Sequence, residues 1–256
     1  MKARDFLEQA RIVDESGSDA THMRQHVEEL LERLPWGLEI TTGLSKDLLP
    51  VSQLTRLLGE HWLNGELLDK MLGALNRQMK ESISDVQKTT QILGIQDINT
   101  LIRLHLLSKS KLGPAKNEVP LSLQRLQAEV EKKVIRTIYA IENVNSNHWI
   151  VHEVDLVKLI VRTGDSLKTQ KMGCWPAQSA LQWFLSPLCG ILSLDDMLPV
   201  GSQINVDYSS CGICAVNAIE HALFSKPLWS RKSHIYQWIK WFERIASQQV
   251  SLVSIS

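Results

Sequence analysis

The sequence has no long apolar run. No stretch of its 256 residues approaches the roughly 18 consecutive apolar residues that a membrane-spanning helix needs. Residues 1–13 are interspersed with charged side chains where a signal peptide would have an apolar block. We therefore expect a soluble, intracellular protein with no membrane partner.

Cysteine is also scarce. Four cysteines at irregular spacing are too few to form a disulfide framework in a chain of this length. We expect reduced thiols, so a cysteine with a special role would be catalytic, redox-active or a metal ligand. The candidates are Cys174, Cys189, Cys211 and Cys214.

An excess of charge of either sign is missing as well. The 28 basic and 28 acidic residues give a formal net charge of zero, so no global field draws the protein toward nucleic acid. The basic clusters are short, and no glycine-rich phosphate loop occurs. We therefore expect no nucleic-acid partner, no nucleotide and no other cofactor.

The first half of the chain has the apolar spacing of helices. Residues 1–48 are interpreted as an N-terminal extension that carries one helix ending before Pro35. The main domain, residues 49–256, opens with two helices over residues 51–80, interrupted at residues 64–65. Residues 81–119 show no regular period, and Leu123, Leu126 and Val130 then predict another helix.

The second half changes from helical to strand periodicity and back. Val, Ile and aromatic residues predict three successive strands over residues 134–141, 149–156 and 157–162. Helical patterns return at residues 176–188, at residues 211–224, which are apolar on nearly every side, and near the C-terminus. Helices, then strands, then helices indicate an α+β fold rather than alternating βαβ units.

Three residues have the chemistry of a thiol nucleophile and its partners. A cysteine nucleophile needs a base and a group that orients that base. His148 begins a predicted strand, Asp165 follows the next strand, and Cys211 begins the predicted buried helix, whose N-terminus favours a thiolate. Each residue alone is better explained as structural; the combination indicates catalysis.

The sequence around these residues resembles the Ulp1/SENP-type proteases, which act on ubiquitin-like proteins. The resemblance covers about residues 49–245. Asp165 follows His148 by 17 positions and Cys211 follows Asp165 by 46, in the order of that family. The stretches that carry the resemblance are Trp62 to Leu67, Asn147 to Asp155, Gly164 to Leu167 and Ser210 to Ala218.

The resemblance implies a papain-like (adenain-type) fold with a central mixed sheet packed by helices. It implies a Cys-His-Asp triad in which Cys211 attacks the C-terminal glycine carbonyl of a ubiquitin-like protein, His148 is the base and Asp165 orients it. It also implies that Trp62 and Trp149 line a narrow channel through which the C-terminal tail of the ubiquitin-like protein passes. SUMO is the first expected partner and Nedd8 the second, for a monomeric enzyme in the nucleus or the cytoplasm.

The sequence departs from the family pattern at several positions. The family has its oxyanion-stabilising glutamine six residues before the nucleophile, where this chain has Asn205. Gln203 lies two residues further upstream, and the amide of either residue could donate to an oxyanion. Gly65 and Ser210 stand where the family usually has aspartate.

Other functions remain as alternatives to the peptidase. Cys211 and Cys214 form a C-x-x-C pair, which is typical of redox exchange and could also form a protective bridge within a peptidase. Four cysteines could hold zinc, although their spacing fits no compact ligand pattern. A catalytically weak module that binds ubiquitin-like proteins, or an acyltransferase, would use the same fold.

Overall fold

The computed structural model describes residues 18–44, 47–59, 61–82, 84–110, 119–168, 175–194, 198–203, 207 and 209–253. Its centre is a five-stranded mixed sheet with helices on both faces. Within these ranges, no helix is both long enough and apolar enough to span a bilayer.

The helices flank the strands in the chain order that the sequence predicts. Two 3₁₀ segments, Val51–Leu58 and Arg231–Ser233, interrupt the series. The α-helices are α1 (Ser18–Arg33), α2 (Gly65–Glu81), α3 (Asp85–Lys88), α4 (Ile95–Ser108), α5 (Leu121–Glu131), α6 (Pro176–Cys189), α7 (Cys211–Phe224) and α8 (His234–Val253).

The sheet is antiparallel at its centre and parallel at its edges. Its strands lie in the order β3-β4-β5-β6-β7, with β4–β5 and β5–β6 antiparallel and β3–β4 and β6–β7 parallel. A separate two-stranded ribbon joins β1 (Glu39–Ile40) and β2 (Leu49–Pro50). The sheet strands are β3 (Thr90–Ile92), β4 (Thr137–Val144), β5 (His148–Asp155), β6 (Ile160–Gly164) and β7 (Ser193–Leu194).

Each face of the sheet covers its own apolar core. On one face, α7 contacts β5 and packs beneath α2 and α8. On the other face, α4, α5 and α6 pack over the apolar side chains of β4, β5 and β6. Because α7 lies between the sheet and two other helices, nearly all of its residues are buried, which explains why its sequence is apolar on every side.

The N-terminal helix packs against the C-terminal helix. Val27, Leu30 and Leu34 are buried in the same apolar cluster as α7. The contact is reinforced by His26 Nδ1, which lies 2.9 Å from Glu243 Oε1. The predicted helix within residues 1–48 is thus present as α1, while the domain boundary at residue 48 stays a prediction.

The α+β fold class is confirmed, with the mixed sheet that the resemblance implies. The three predicted strands are present, although β4 begins and ends three residues later than expected. Two helices are present over residues 51–80 as predicted, but the first, at residues 51–58, is a 3₁₀ helix rather than an α-helix. The interpretation of residues 81–119 as an irregular segment was wrong, because these residues contain α3, β3 and α4.

A close backbone approach fixes the position of α2. A Cβ atom at Gly73 would lie 2.6 Å from the Gly43 Cα, which is backbone and cannot turn aside. We expect Gly73→Ala to lower the free energy of unfolding by about 1–3 kcal/mol, the usual cost of overpacking. Urea denaturation of Gly73→Ala and Gly37→Ala measures this, because a Cβ at Gly37 would meet nothing within 4 Å. Equal stability of the two variants would contradict the close approach.

Candidate active site

His148 and Asp165 meet because β5 and β6 are neighbours. Val151 pairs with Gly164 in the antiparallel register, so Asp165 follows at the same end of the sheet as the first residue of β5. Asp165 Oδ1 accepts a hydrogen bond from His148 Nε2 at 2.7 Å and one from the Leu167 backbone N–H at 2.9 Å. Both the imidazole and the carboxylate are almost fully buried, so water competes little for this contact.

Cys211 is the first residue of α7 and is 1% exposed. The chain before it is shaped by Asp207, whose Oδ1 accepts from the backbone N–H groups of Ser209 at 3.1 Å and Ser210 at 2.9 Å. As the first residue of α7, Cys211 places its thiol at the positive end of the helix dipole. Its side chain also lies close enough to His148 to help raise the pKa of that imidazole.

The surroundings of His148 favour its protonated form. Burial of the ring lowers its pKa, but the hydrogen bonds to Asp165 and Cys211 and their negative charges outweigh burial and raise the pKa to about 9. Because Nε2 is bonded to Asp165, Nδ1 is the nitrogen left for the sulfur. At neutral pH His148 is therefore held mainly as the imidazolium.

The Gln203 amide is anchored at both ends. Its Oε1 accepts from Ser166 Oγ at 2.6 Å, and its Nε2 donates to the Asp207 carbonyl oxygen at 3.0 Å. The side chain is buried, and Nε2 carries a second N–H besides the one that bonds Asp207. Asn205, the other candidate for the oxyanion, lies outside the described residues.

Trp62 and Trp149 stack on one another beside the site. Their ring centroids are 5.6 Å apart with 23° between the planes. Trp149, adjacent to His148 on β5, is buried and donates from Nε1 to the Leu63 carbonyl oxygen at 2.8 Å. Trp62 is only partly buried, so it is the member of the pair that can contact a ligand.

Gly65 has a packing reason for its departure from the family pattern. A Cβ at this position would lie 3.2 Å from Ile95 Cγ2 and 3.7 Å from Trp149 Cη2. The start of α2 is capped without an aspartate there, because Asn64 Oδ1 accepts from the Leu67 N–H at 3.1 Å. A small residue at position 65 leaves the tryptophan pair undisturbed.

Two residues at the site were not predicted as functional candidates from the sequence. Ser166 stood out only as part of a motif, although its place directly after Asp165 was a signal. Asp207 belongs to none of the motifs, although Asp shortly before a helix commonly accepts from backbone N–H groups. The partner of Ser166 is Gln203, 37 residues away in the loop before α7, and sequence spacing alone does not reveal that contact.

Cys214 lies one helical turn after Cys211 and has no exposed surface. Burial raises the pKa of its thiol well above the ordinary value, and the charges of Asp207 and Cys211 act in the same direction. The protective bridge between the two cysteines stays a prediction.

Cys174 lies outside the described residues. Among the described residues, no three His, Cys, Asp or Glu side chains cluster to hold a metal ion.

Comparison with known proteins gives matches in structure alone. No family model matches the chain, and no curated protein matches it in sequence. Among solved structures, the matches define the fold class: an α+β fold of the papain-like kind. More closely, the chain has the fold of the Ulp1-type protease domains.

Three of these structures illustrate the likeness. The C-terminal Ulp1 protease domain in complex with Smt3, the yeast orthologue of SUMO, matches with a TM-score of 0.60 and 15% identity over 88% of this chain and 95% of that one. A Ulp1 with its catalytic cysteine oxidised to a sulfenic acid gives 0.61 and 16%, with the same coverage. The Ulp1-like SUMO protease catalytic domain of Chaetomium thermophilum gives 0.58 and 16% over 92% and 90%.

Proposed function

We propose that this chain is a cysteine peptidase that cleaves after the C-terminal glycine of a ubiquitin-like protein. The observation that carries the proposal is the 2.7 Å hydrogen bond between His148 and Asp165. Cys211, at the N-terminus of a buried helix, lies close enough to His148 to help raise the pKa of its ring. This arrangement supplies nucleophile, base and orienting carboxylate together. It occurs on a fold shared with Ulp1-type protease domains.

The reaction has two stages. The Cys211 thiolate attacks the glycine carbonyl carbon, and the imidazolium of His148 then gives its proton to the leaving amine as the C–N bond breaks. This leaves a thioester between Cys211 and the C-terminal glycine of the ubiquitin-like protein, which is called the tag below. Neutral His148 next takes one proton from water, whose oxygen attacks the thioester carbon. The C–S bond breaks, so Cys211 leaves as a thiolate beside the His148 imidazolium and the ion pair is restored. The released carboxylic acid of the tag loses its proton to solvent. Asp165 orients the ring and stabilises its cation throughout.

We assign the oxyanion to the Gln203 amide and the helix start. The second N–H of Nε2 is the donor left over after the contact with the Asp207 carbonyl. Backbone N–H groups at the start of α7 lie next to Cys211 and have no acceptor within their own helix. A preorganised donor of this kind is worth about 10²–10³ in turnover.

Two observations support the proposed substrate class: the tryptophan pair beside the site and the similar solved structures. A stacked tryptophan pair with one partly exposed ring, Trp62 over Trp149, offers a flat apolar surface on which an extended glycine tail can lie. One of the similar structures holds the SUMO orthologue Smt3, so SUMO is the first partner that we propose and Nedd8 the second. A nucleophile that must stay reduced fits an intracellular compartment.

The test uses tag domains that carry a thiol-reactive group at their C-terminus. Purified protein is incubated with SUMO, Nedd8 and ubiquitin probes, and intact mass reports covalent labelling. We expect labelling of the wild type with one preferred tag and none of Cys211→Ser. Cys189→Ser is the matched control, because Cys189 is the more exposed thiol among those described and its loss should leave labelling unchanged.

If folded wild-type protein reacts with none of the three probes, the peptidase proposal is rejected. Tag binding by calorimetry without labelling would then favour a binding module. Labelling of Cys211→Ser at the wild-type rate would place the nucleophile elsewhere.

A further inference from the structure

The turn that supplies Asp165 also reaches the Gln203 side chain. Ser166 is 2% exposed, and its hydroxyl donates to Gln203 Oε1 at 2.6 Å. The backbones are joined as well, since the Gln203 N–H donates to the Ser166 carbonyl oxygen at 2.9 Å. The two residues are 37 positions apart in the sequence, so this contact is a tertiary link between β6 and the loop before α7.

These contacts decide which way the Gln203 amide faces. An amide can be flipped so that oxygen and nitrogen exchange places. In the observed state, oxygen accepts from the Ser166 hydroxyl and nitrogen donates to the Asp207 carbonyl. The flipped state would set the Gln203 oxygen against the Asp207 carbonyl oxygen, and two acceptors repel each other. The pair of contacts therefore fixes the direction of the remaining N–H.

Ser166 is also tied to the helix that carries the nucleophile. Its side chain lies close enough to the Cys214 thiol, one turn after Cys211 on α7, to lower the pKa of that thiol against the larger, raising effect of burial. One buried serine thus touches the amide proposed for the oxyanion and the helix of the thiol, and its chain neighbour is the carboxylate that orients His148. A hydroxyl can donate one hydrogen bond and accept others, so a single Ser166 Oγ can serve both contacts.

We propose that Ser166 is a positioning residue that locks the Gln203 amide with its free N–H toward the developing oxyanion. It touches no reacting atom and acts through Gln203. The inference rests on the proposed peptidase function and deepens it. It also explains how the longer loop of this chain, with its glutamine eight residues before Cys211, can still present a fixed donor.

The expected effect is on turnover rather than on tag binding. Removing the hydroxyl in Ser166→Ala leaves the amide free to rotate, and we expect kcat to fall about 10-fold with KM unchanged. Removing the donor itself in Gln203→Ala should lower kcat by about 10²–10³. Alkylation of Cys211 by iodoacetamide forms no oxyanion, so its rate should stay within about 2-fold of the wild type in both variants.

The decisive measurement is a double-mutant cycle on tag-fusion cleavage. If Ser166 acts through Gln203, adding Ser166→Ala to Gln203→Ala should lower kcat no further. The matched control is Ser82→Ala. Ser82 Oγ also bonds a buried glutamine oxygen, that of Gln87, whose Nε2 donates to the Leu223 carbonyl at 2.7 Å at the far end of α7. Its loss should leave kcat unchanged.

The outcomes separate this inference from the function on which it rests. Wild-type cleavage with an unchanged kcat in Ser166→Ala, or additive effects in the cycle, would overturn the role of Ser166 alone. A fall in the alkylation rate equal to the fall in kcat would mean that Ser166 merely supports the thiol, which also overturns it. Absence of cleavage by folded wild-type protein would overturn the peptidase function, and the inference with it.

Discussion

Replacement of Cys211 by alanine is expected to abolish cleavage of a tag fusion, lowering kcat by about 10⁶. Loss of a nucleophile in a catalytic triad costs this much because its partners have no other group to activate. The side chain is small and 1% exposed, so its removal opens little space. We therefore expect the fold and the tag-binding surface to persist.

Two measurements check this expectation. Cleavage of a tag fusion gives the rate, and isothermal titration with the free tag gives the affinity, which should stay within about 3-fold of the wild type. Cys214→Ala is the control, since Cys214 lies on the same helix and is also buried, yet does not contact the imidazole in the proposed mechanism. Cleavage by Cys211→Ala above about 1% of the wild-type rate would contradict the assignment of the nucleophile.

The second large effect concerns pH and Asp165. The His148 imidazolium must supply a proton to the leaving amine, so cleavage should fall as pH rises through its pKa of about 9. Asp165→Asn removes the negative charge that helps to raise this pKa. We expect the pH at which cleavage falls on the alkaline side, called the alkaline limit below, to move to a lower value. We also expect kcat to fall about 10²–10⁴-fold. The measurement is the pH profile of kcat for both proteins.

Glu142→Gln provides the matched control for that profile. Glu142 Oε2 lies 3.1 Å from Nε2 of His152, which is on the same strand as His148, and this pair is also buried. Its loss removes a carboxylate from a histidine elsewhere in the sheet and should leave the alkaline limit unchanged. An identical profile for Asp165→Asn and the wild type would contradict the proposed pairing.

The same pair makes stability depend on pH. The folded-state pKa of His148 lies above the value of 6.5 of an unperturbed histidine, so folding favours the protonated ring. Its contribution to the free energy of unfolding is complete below pH 6.5 and is lost as pH rises through about 9. Asp165→Asn should weaken this dependence, and urea denaturation at a series of pH values measures it.

Sequence patterns predicted the strongly periodic elements and missed the weak ones. The helix Cys211–Phe224 was predicted at its observed bounds because it is apolar on all sides and closely bounded by polar residues. The helix Ile95–Ser108 was missed because its buried residues Ile95, Ile98, Leu101 and Leu104 recur every three positions, so the apolar stripe drifts around the helix. The three-residue strand Thr90–Ile92 is too short to show alternation and depends on its pairing with β4.

The residue types at the site were readable from the sequence, but their contacts were not. The sequence by itself determined that a cysteine begins a buried helix, that a histidine begins a strand and that an aspartate follows another, because these are local patterns of polarity. Only the tertiary structure decided that the three meet, because their distances depend on the register of β5 and β6 and on the packing of α7. The same holds for the Gln203 amide, whose direction is set by Ser166, a partner 37 residues away in the chain.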